Sequence, residues 1–383
     1  MSVDYRATKS ILAILLVAGF ASISVGGAVA SAGTSKVTPF LSTLGNPRQV
    51  ASTVPTNGDL NPYGIAVVPT TVGRLIKGDT LVSNFNNKAN VQGAGTTIVE
   101  VSPTGAVSTF AAIGSIPTSN GCPGGIGLTT ALSILPGGWL VVGSLPAGVA
   151  GALPLVNPAG CLLVLNSAGM VKESWTNQNI NGPWDMTEVT TSSGVDLFVS
   201  NVLSRPKGTT TTPKSGDLST IVRVSVILKA GQSPQMSGVT VIGTGFLSKA
   251  NKAAFVQGPT GVALGKNGDL YVAGTVRNHI SVIPSALTRM TAVADGAFTL
   301  SSGGWLNGPL GLTIAPNGDV LAMNANDGNA VEINPNGHQV AKKTLVPNGS
   351  GDLFGATISP NGKQLLFVND AATANALDIA NVK

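Results

Sequence analysis

The sequence is poor in charge, in aromatic residues, in histidine and in cysteine. Asp, Glu, Lys and Arg make up 10% of its 383 residues, and Phe, Trp and Tyr 4%. Average chains carry about 25% charge, so a disordered or coiled-coil protein is excluded. Lys and Arg (22) exceed Asp and Glu (17), but they form no cluster. The basicity reflects a shortage of acids, which argues against nucleic-acid binding. With two histidines in the whole chain, His279 and His338, a three-histidine zinc site is impossible. No Ser-His-Asp, Gly-x-Ser-x-Gly, Walker or Rossmann pattern stands in a suitable strand–helix setting. Beyond residue 30, no apolar run is long enough to span a membrane. What abounds is Gly (49) and Pro (23), set among Val, Thr, Ser, Leu and Ile. That is the composition of many short strands joined by tight turns.

The first 30 residues read as an export signal. Arg6 and Lys9 precede the apolar stretch ILAILLVAGFA at 11–21, and Ala28-Val29-Ala30 supplies a cleavage site before Ser31. The expected product is an exported domain over 31–383, periplasmic or extracellular, with no stable membrane span after cleavage. An uncleaved anchor is the rival reading, because no charge falls between Lys9 and Lys36. The Gly, Ser and Ala of its second half partition weakly into lipid. Cys122 and Cys161 both lie in the exported part and are expected to form a disulfide; two buried free thiols are the alternative.

A punctuated unit recurs along the chain: Pro or Gly, a short apolar strand, a turn, a second apolar strand, a loop, a third strand. Its clearest copy is GPTGVALGKNGDLYVA from Gly258; others are GPLGLTIAPNGDVLAMN from Gly308 and FGATISPNGKQLLFVND from Phe354. More worn copies start at NPYGIAVVP (Asn61), CPGGIGL (Cys122) and GPWDMTEV (Gly182). Aligned, the anchors are Gly64, Gly125, Asp185, Gly261, Gly311 and Gly355. Six copies of a four-stranded unit predict an all-β, six-bladed β-propeller, with blades beginning near 60, 121, 181, 257, 307 and 352. A β-sandwich is the competing architecture. The last copy has only three strands of its own, so residues 36–44 (KVTPFLSTL) are expected to close the ring as its outer strand.

In such a ring the first strands line a central channel. The loops leading into them share one face, here called upper, with the loops between second and third strands. Three of the latter are long: 84–95, 144–160 and 201–219. Carboxamides recur at the same level: Asn61, Asn181, Gln257 and Asn307 before first strands, and Asn84, Asn201, Asn324 and Asn369 after second strands. They suit either a hydrogen-bonding floor for a ligand or local turn caps. Asp185 stands where five copies have Gly, which suggests a cation ligand or general base. Glu188 follows it, and Trp184 beside it is either core or a stacking surface for a sugar.

The repeat resembles the NHL family of propellers from about residue 36 to the end; GPTGVALGKNGDLYVAGTVRNHISVI (258–283) carries the likeness best. The resemblance implies the fold and says little about function. SPNGKQLLFVND is also similar to the gluconolactonase family, where Asp370 would match a metal-binding Asp. Phe354 and Asn181 replace the other two ligands expected from that family. PYGIAV (62–67) is similar to virginiamycin-type lyases, which rely on His and Glu near the axis. The cofactor is unknown from sequence; a divalent cation such as calcium, at Asp185 and Asp370, is what these likenesses suggest. The expected function is a binding module taking a polar small molecule, a saccharide or a protein on its upper face. The alternative is a metal-assisted hydrolase or lyase at the channel mouth.

Overall fold

Strands buried on both sides need neighbours on both sides, and that requirement organises the molecule. Leu81 and Val82 are adjacent and fully buried, yet Leu81 packs toward the following sheet and Val82 toward the preceding one. Leu197 and Phe198 divide in the same way. Successive side chains of a strand point to opposite faces, so a continuous apolar run is stable only between two packed sheets. The computed structural model describes residues 37–114, 121–145, 160–202, 217–251, 255–371 and 374–383. The signal expected over 1–30, and most of the 144–160 and 201–219 loops, lie outside the described residues.

Thr38–Lys383 forms one unit of six antiparallel sheets. Their inner strands are Leu60–Val67, Leu132–Leu135, Pro183–Thr191, Pro259–Leu264, Pro309–Ile314 and Leu353–Ile358. Each inner strand touches the next, and the sixth returns to the first, so the ring closes as a six-bladed propeller. Six apolar cores fill the wedges between neighbouring blades, and a seventh sits on the axis. The only helix among the described residues is the single turn Phe40–Thr43. No described helix is long and apolar enough to cross a membrane.

An N-terminal strand does complete blade 6, but it is Arg48–Ser52, paired antiparallel with Ala376–Asn381, and not 36–44. Pro39 cannot donate to a ladder, and residues 40–43 coil into the helical turn instead. Phe40, Leu41 and Leu44 insert between blades 5 and 6. The backbone N–H groups of Phe40 and Leu41 donate to Oε1 and Oε2 of Glu332, each at 2.7 Å. Glu332 is wholly buried, and its Oε1 also accepts from Asn317 Nδ2 at 2.8 Å.

Blade 2 also departs from the repeat. Its inner strand begins at Leu132, beyond the anchor expected at Gly125. Gly125 adopts φ 71° in a turn after Cys122, and Leu128 bridges Leu145 before the strand starts. Cys122 and Cys161 are bonded, with Cα atoms 5.4 Å apart, which ties this irregular lead to the start of the blade's third strand. The bridge closes a loop across 39 residues of sequence. Chain-entropy reasoning puts its contribution at about 4 kcal/mol. Reduction, or Cys161→Ser, is expected to lower the melting temperature by several degrees in calorimetry; an unchanged transition would refute this.

Candidate functional site

The four anchor glycines Gly64, Gly261, Gly311 and Gly355 show why the axis is crowded. A Cβ on each would lie 2.4, 2.4, 2.3 and 2.1 Å from a backbone oxygen of the next blade (Thr130, Leu310, Phe354 and Tyr63 respectively). Only a residue without a side chain permits that approach. Blade 3 solves the problem differently. Its strand shifts register between Pro183 and Asp185 as the glycine-anchored strands do at the same level, but here the Asp185 side chain spans the gap to blade 4. Oδ2 accepts the Val262 N–H at 3.2 Å, and Oδ1 accepts the Met186 N–H at 2.9 Å. The Asp185 N–H donates to Ser200 Oγ at 3.1 Å.

The residue before each anchor decides which end of the channel is open. In this column stand Tyr63, Trp184, Leu310 and Phe354, which meet on the axis with Leu128 and Leu145. Trp184 Nε1 donates to the Tyr63 hydroxyl at 2.9 Å, with the rings edge to face. Phe354 stacks on Tyr63 with centroids 5.7 Å apart. This plug roofs the channel just below the upper face. Beneath it lies a cavity of about 440 Å³, lined by the inner strands of all six blades. Its lining continues to Pro69 and Pro360, both exposed, so the mouth is at the lower face, where the inner strands end.

The cavity wall mixes aliphatic side chains (Ile65, Val67, Ile134, Leu264, Ile314, Ile358) with the hydroxyls of Ser133, Thr187, Thr313 and Thr357, and more of its surface is polar than apolar. Among the described residues, two carboxyls, Asp185 and Glu188, line the cavity from the same strand, and no Lys, Arg or His does. Burial pushes the Asp185 carboxyl up to about 7, against the pull of its bonds from Met186 and Val262. Burial also raises Glu188. Tyr63 is raised well above the phenol value by burial and then by the charge of Asp185.

Four of the upper-face carboxamides bond to the chain itself, although Asn84 Oδ1 and Asn201 Nδ2 are buried without a partner among the described residues. Asn84 Nδ2 donates to the Thr53 carbonyl at 2.8 Å. Asn201 Oδ1 accepts from the N–H groups of Asn181 (3.1 Å) and Gly182 (3.3 Å). Asn324 Oδ1 accepts from Asn307 N–H at 3.1 Å, and its Nδ2 donates to the Trp305 carbonyl at 2.8 Å. Asn369 takes the Ala371 N–H and donates to Asp378. Asn61 adopts φ 59°, and its N–H donates to Asn375 Oδ1. Asn307 Nδ2 reaches Asp327, and Gln257 is half-buried on a short strand paired with blade 3's outer strand. These side chains clamp the leading loops onto the inner strands.

Asp370 and Asp185 belong to opposite blades, and Asp370 does not line the cavity. Burial and then neighbouring Asp352 push Asp370 up to about 8, and its Oδ1 is buried without a partner. A divalent cation needs more than this pair. Among the described residues, no three His, Cys, Asp or Glu side chains gather at one point. His338 is exposed. His279 is buried, its Nε2 bonded to Ser281 Oγ and Asp295 Oδ1 at 2.8 Å each.

Sequence reasoning passed over Tyr63 and Phe354, although alignment on the anchors puts both beside Trp184 in one column. Thr187, Thr313 and Thr357 were also missed, and their hydroxyls carry no signal distinct from ordinary strand residues.

The raised carboxyls set the pH response. Asp185 (about 7), Asp370 (about 8) and Asp319 (about 6, from burial and then Glu332) hold protons more tightly than the unfolded chain, where carboxyls titrate near 4. Their cost is absent below about pH 4, grows as pH rises above it, and levels off as each folded-state value, about 6, 7 and 8, is passed. Asp295 works oppositely. Burial raises it, but His279, Ser281 and Arg277 outweigh burial and hold it low, so its contribution is lost in acid. Melting temperature is therefore expected to fall by several degrees from pH 5 to pH 8.5, and Asp370→Asn to flatten the alkaline end. A steady rise over that range would contradict this assignment.

No protein-family model matches the chain, and no curated protein matches it by sequence. Solved structures do match by shape. A gluconolactonase from Xanthomonas campestris is 13% identical, with 85% of this chain and 88% of that one covered and a TM-score of 0.51. A PQQ-bound aldose sugar dehydrogenase from Streptomyces coelicolor is 14% identical, with 88% and 97% covered and a TM-score of 0.52. A streptogramin B lyase is 14% identical over the same shares, with a TM-score of 0.50. At such identities the likeness is one of fold.

Proposed function

We propose that the protein is an exported, NHL-like propeller that binds a small molecule in its axial channel, reached from the lower face. One observation carries the reading. A cavity of about 440 Å³ is closed above by Tyr63, Trp184 and Phe354, open below, and lined by aliphatic side chains together with hydroxyls, strand backbone and two carboxyls. Pockets of this size are where propeller-sized domains hold small ligands. We place the site here and not among the upper-face carboxamides, because Asn84, Asn201, Asn324 and Asn369 are buried or half-buried and hold the chain's own turns. The test is a thermal-shift screen of sugars, lactones and amines against wild type and Thr357→Trp, which fills the channel. Hits are expected on the wild type alone; hits that persist in the filled variant would overturn the reading.

A second reading is favoured by the Asp185 carboxyl, which titrates near neutrality at the blind end of the cavity. There it would act as a general base, and the gluconolactonase and lyase folds above are consistent with such chemistry. Hydrolysis of glucono-lactone that rises between pH 6 and 8 and vanishes in Asp185→Asn would support it. Equal rates in both proteins would dismiss it.

A further inference from the structure

Resting on the channel as the binding site, we infer that its ligand is an elongated organic dication, a linear diamine or polyamine. Among the described residues the cavity carries two carboxyls and no cationic side chain, so an occupant of opposite charge completes it. Both carboxyls line the cavity from one strand, Asp185 under the aromatic roof and Glu188 three residues nearer the mouth, on opposite faces of that strand. At about 3.3 Å per residue, their places on the strand are roughly 10 Å apart. Two ammonium groups joined by a flexible hydrocarbon chain can reach both levels of the channel. Ile65, Val67, Leu264, Ile314 and Ile358 around the axis offer contacts to the hydrocarbon, and the hydroxyls of Thr187, Thr313 and Thr357 between them can accept from inner amines of a polyamine. At the blind end Tyr63 lines the cavity, and an aromatic ring beside a carboxylate is a favourable setting for an ammonium.

A metal ion fits this wall less well. Each Asp185 oxygen already accepts a backbone N–H, and hard divalent ions gather six or more oxygens at one point. Glu188 has no hydrogen-bond partner among the described residues, so its carboxylate is free to take an ammonium. The groups that face Asp185 are the Met186 and Val262 N–H groups and the Tyr63 ring; Glu188 is the other titratable group on the cavity wall. Protonation of Asp185 competes with the dication, so affinity should weaken as pH falls below about 7.

Calorimetric titration with spermidine and 1,8-diaminooctane tests this, with 1,8-octanediol and octylamine as controls. Both amines are expected to bind at pH 8. Binding should weaken tenfold or more in Asp185→Asn and in Glu188→Gln, each checked for an intact melt. Octylamine should bind weakly and respond to only one of the variants. The diol should not bind. Failure of both dications, or wild-type affinity in both variants, would overturn the inference. If neutral probes bind wild type but not Thr357→Trp while the dications fail, the channel stands and the charge assignment falls. If nothing distinguishes Thr357→Trp from wild type, both fall.

Discussion

Deleting residues 38–52 is expected to destroy cooperative folding of blades 5 and 6 and to make the chain self-associate. The segment does three jobs at once. Arg48–Ser52 forms the outer ladder of blade 6. Phe40, Leu41 and Leu44 fill the wedge between blades 5 and 6. The N–H groups of Phe40 and Leu41 satisfy a wholly buried carboxylate. Burying three such side chains is worth roughly 5–8 kcal/mol in total, comparable to the whole stability of an ordinary domain. The deletion also strands Glu332 among apolar neighbours and leaves Ala376–Asn381 as an unpaired edge, which other chains can extend. Urea unfolding and size-exclusion chromatography would show the loss. Glu332→Gln separates the contributions, because it keeps one acceptor and leaves the strand and the apolar contacts in place. It should shift the midpoint modestly without causing association. A deletion variant with an unaltered midpoint would show that the ring holds without its clasp.

The sequence announced the ring through punctuation. Asn267-Gly268, Asn317-Gly318 and Asn361-Gly362 close hairpins with the glycine at φ 81°, 92° and 70°, and three hairpins in the same phase of a repeat leave few architectures open. The clasp was harder to locate. KVTPFLSTL is more apolar than RQVAS, but an outer strand is half-exposed and needs little apolar patterning, while Phe40 and Leu41 are apolar because they fill a wedge. Blade 2 misled for a related reason. IGLTTALSIL offers several equivalent strand starts, and the choice is made by the turn at Gly125 and the bridge from Leu128 to Leu145. The site was legible only in part. Asp185 drew notice because it breaks a column of glycines. Which mouth of the channel is open depends on the summed volume of side chains from different blades at one level. A hydrophobic pattern read along the chain does not contain that sum, and it made Tyr63 and Phe354 look like ordinary core.

Gly355→Val is expected to prevent folding, and Gly355→Ala to cost upwards of about 3 kcal/mol, the high end of overpacking effects. The reason is geometric. Gly355 is not held in a left-handed conformation; its freedom of φ is beside the point. A Cβ there would stand 2.1 Å from the Tyr63 carbonyl and 3.2 Å from Ile65 Cγ2. The carbonyl belongs to an inner strand already fixed by its own ladder, so it cannot swing away as a flexible side chain would. Nor can blade 6 back off, because its other face is packed on blade 5, where Gly311 meets Phe354 in the same manner. A closed ring passes such a strain from wedge to wedge. Gly238→Ala provides the contrast, on an exposed outer strand with nothing within 4 Å of the new methyl group. It should be neutral or stabilising by about 0.5 kcal/mol, through the entropy of the unfolded chain. Chemical denaturation of both variants checks the pair. The Gly355→Ala protein that does fold should also bind channel ligands poorly, because the displaced strand carries Tyr63, whose ring forms the roof. Wild-type stability in Gly355→Ala would mean that the blades are not in the close backbone contact on which the channel's shape depends.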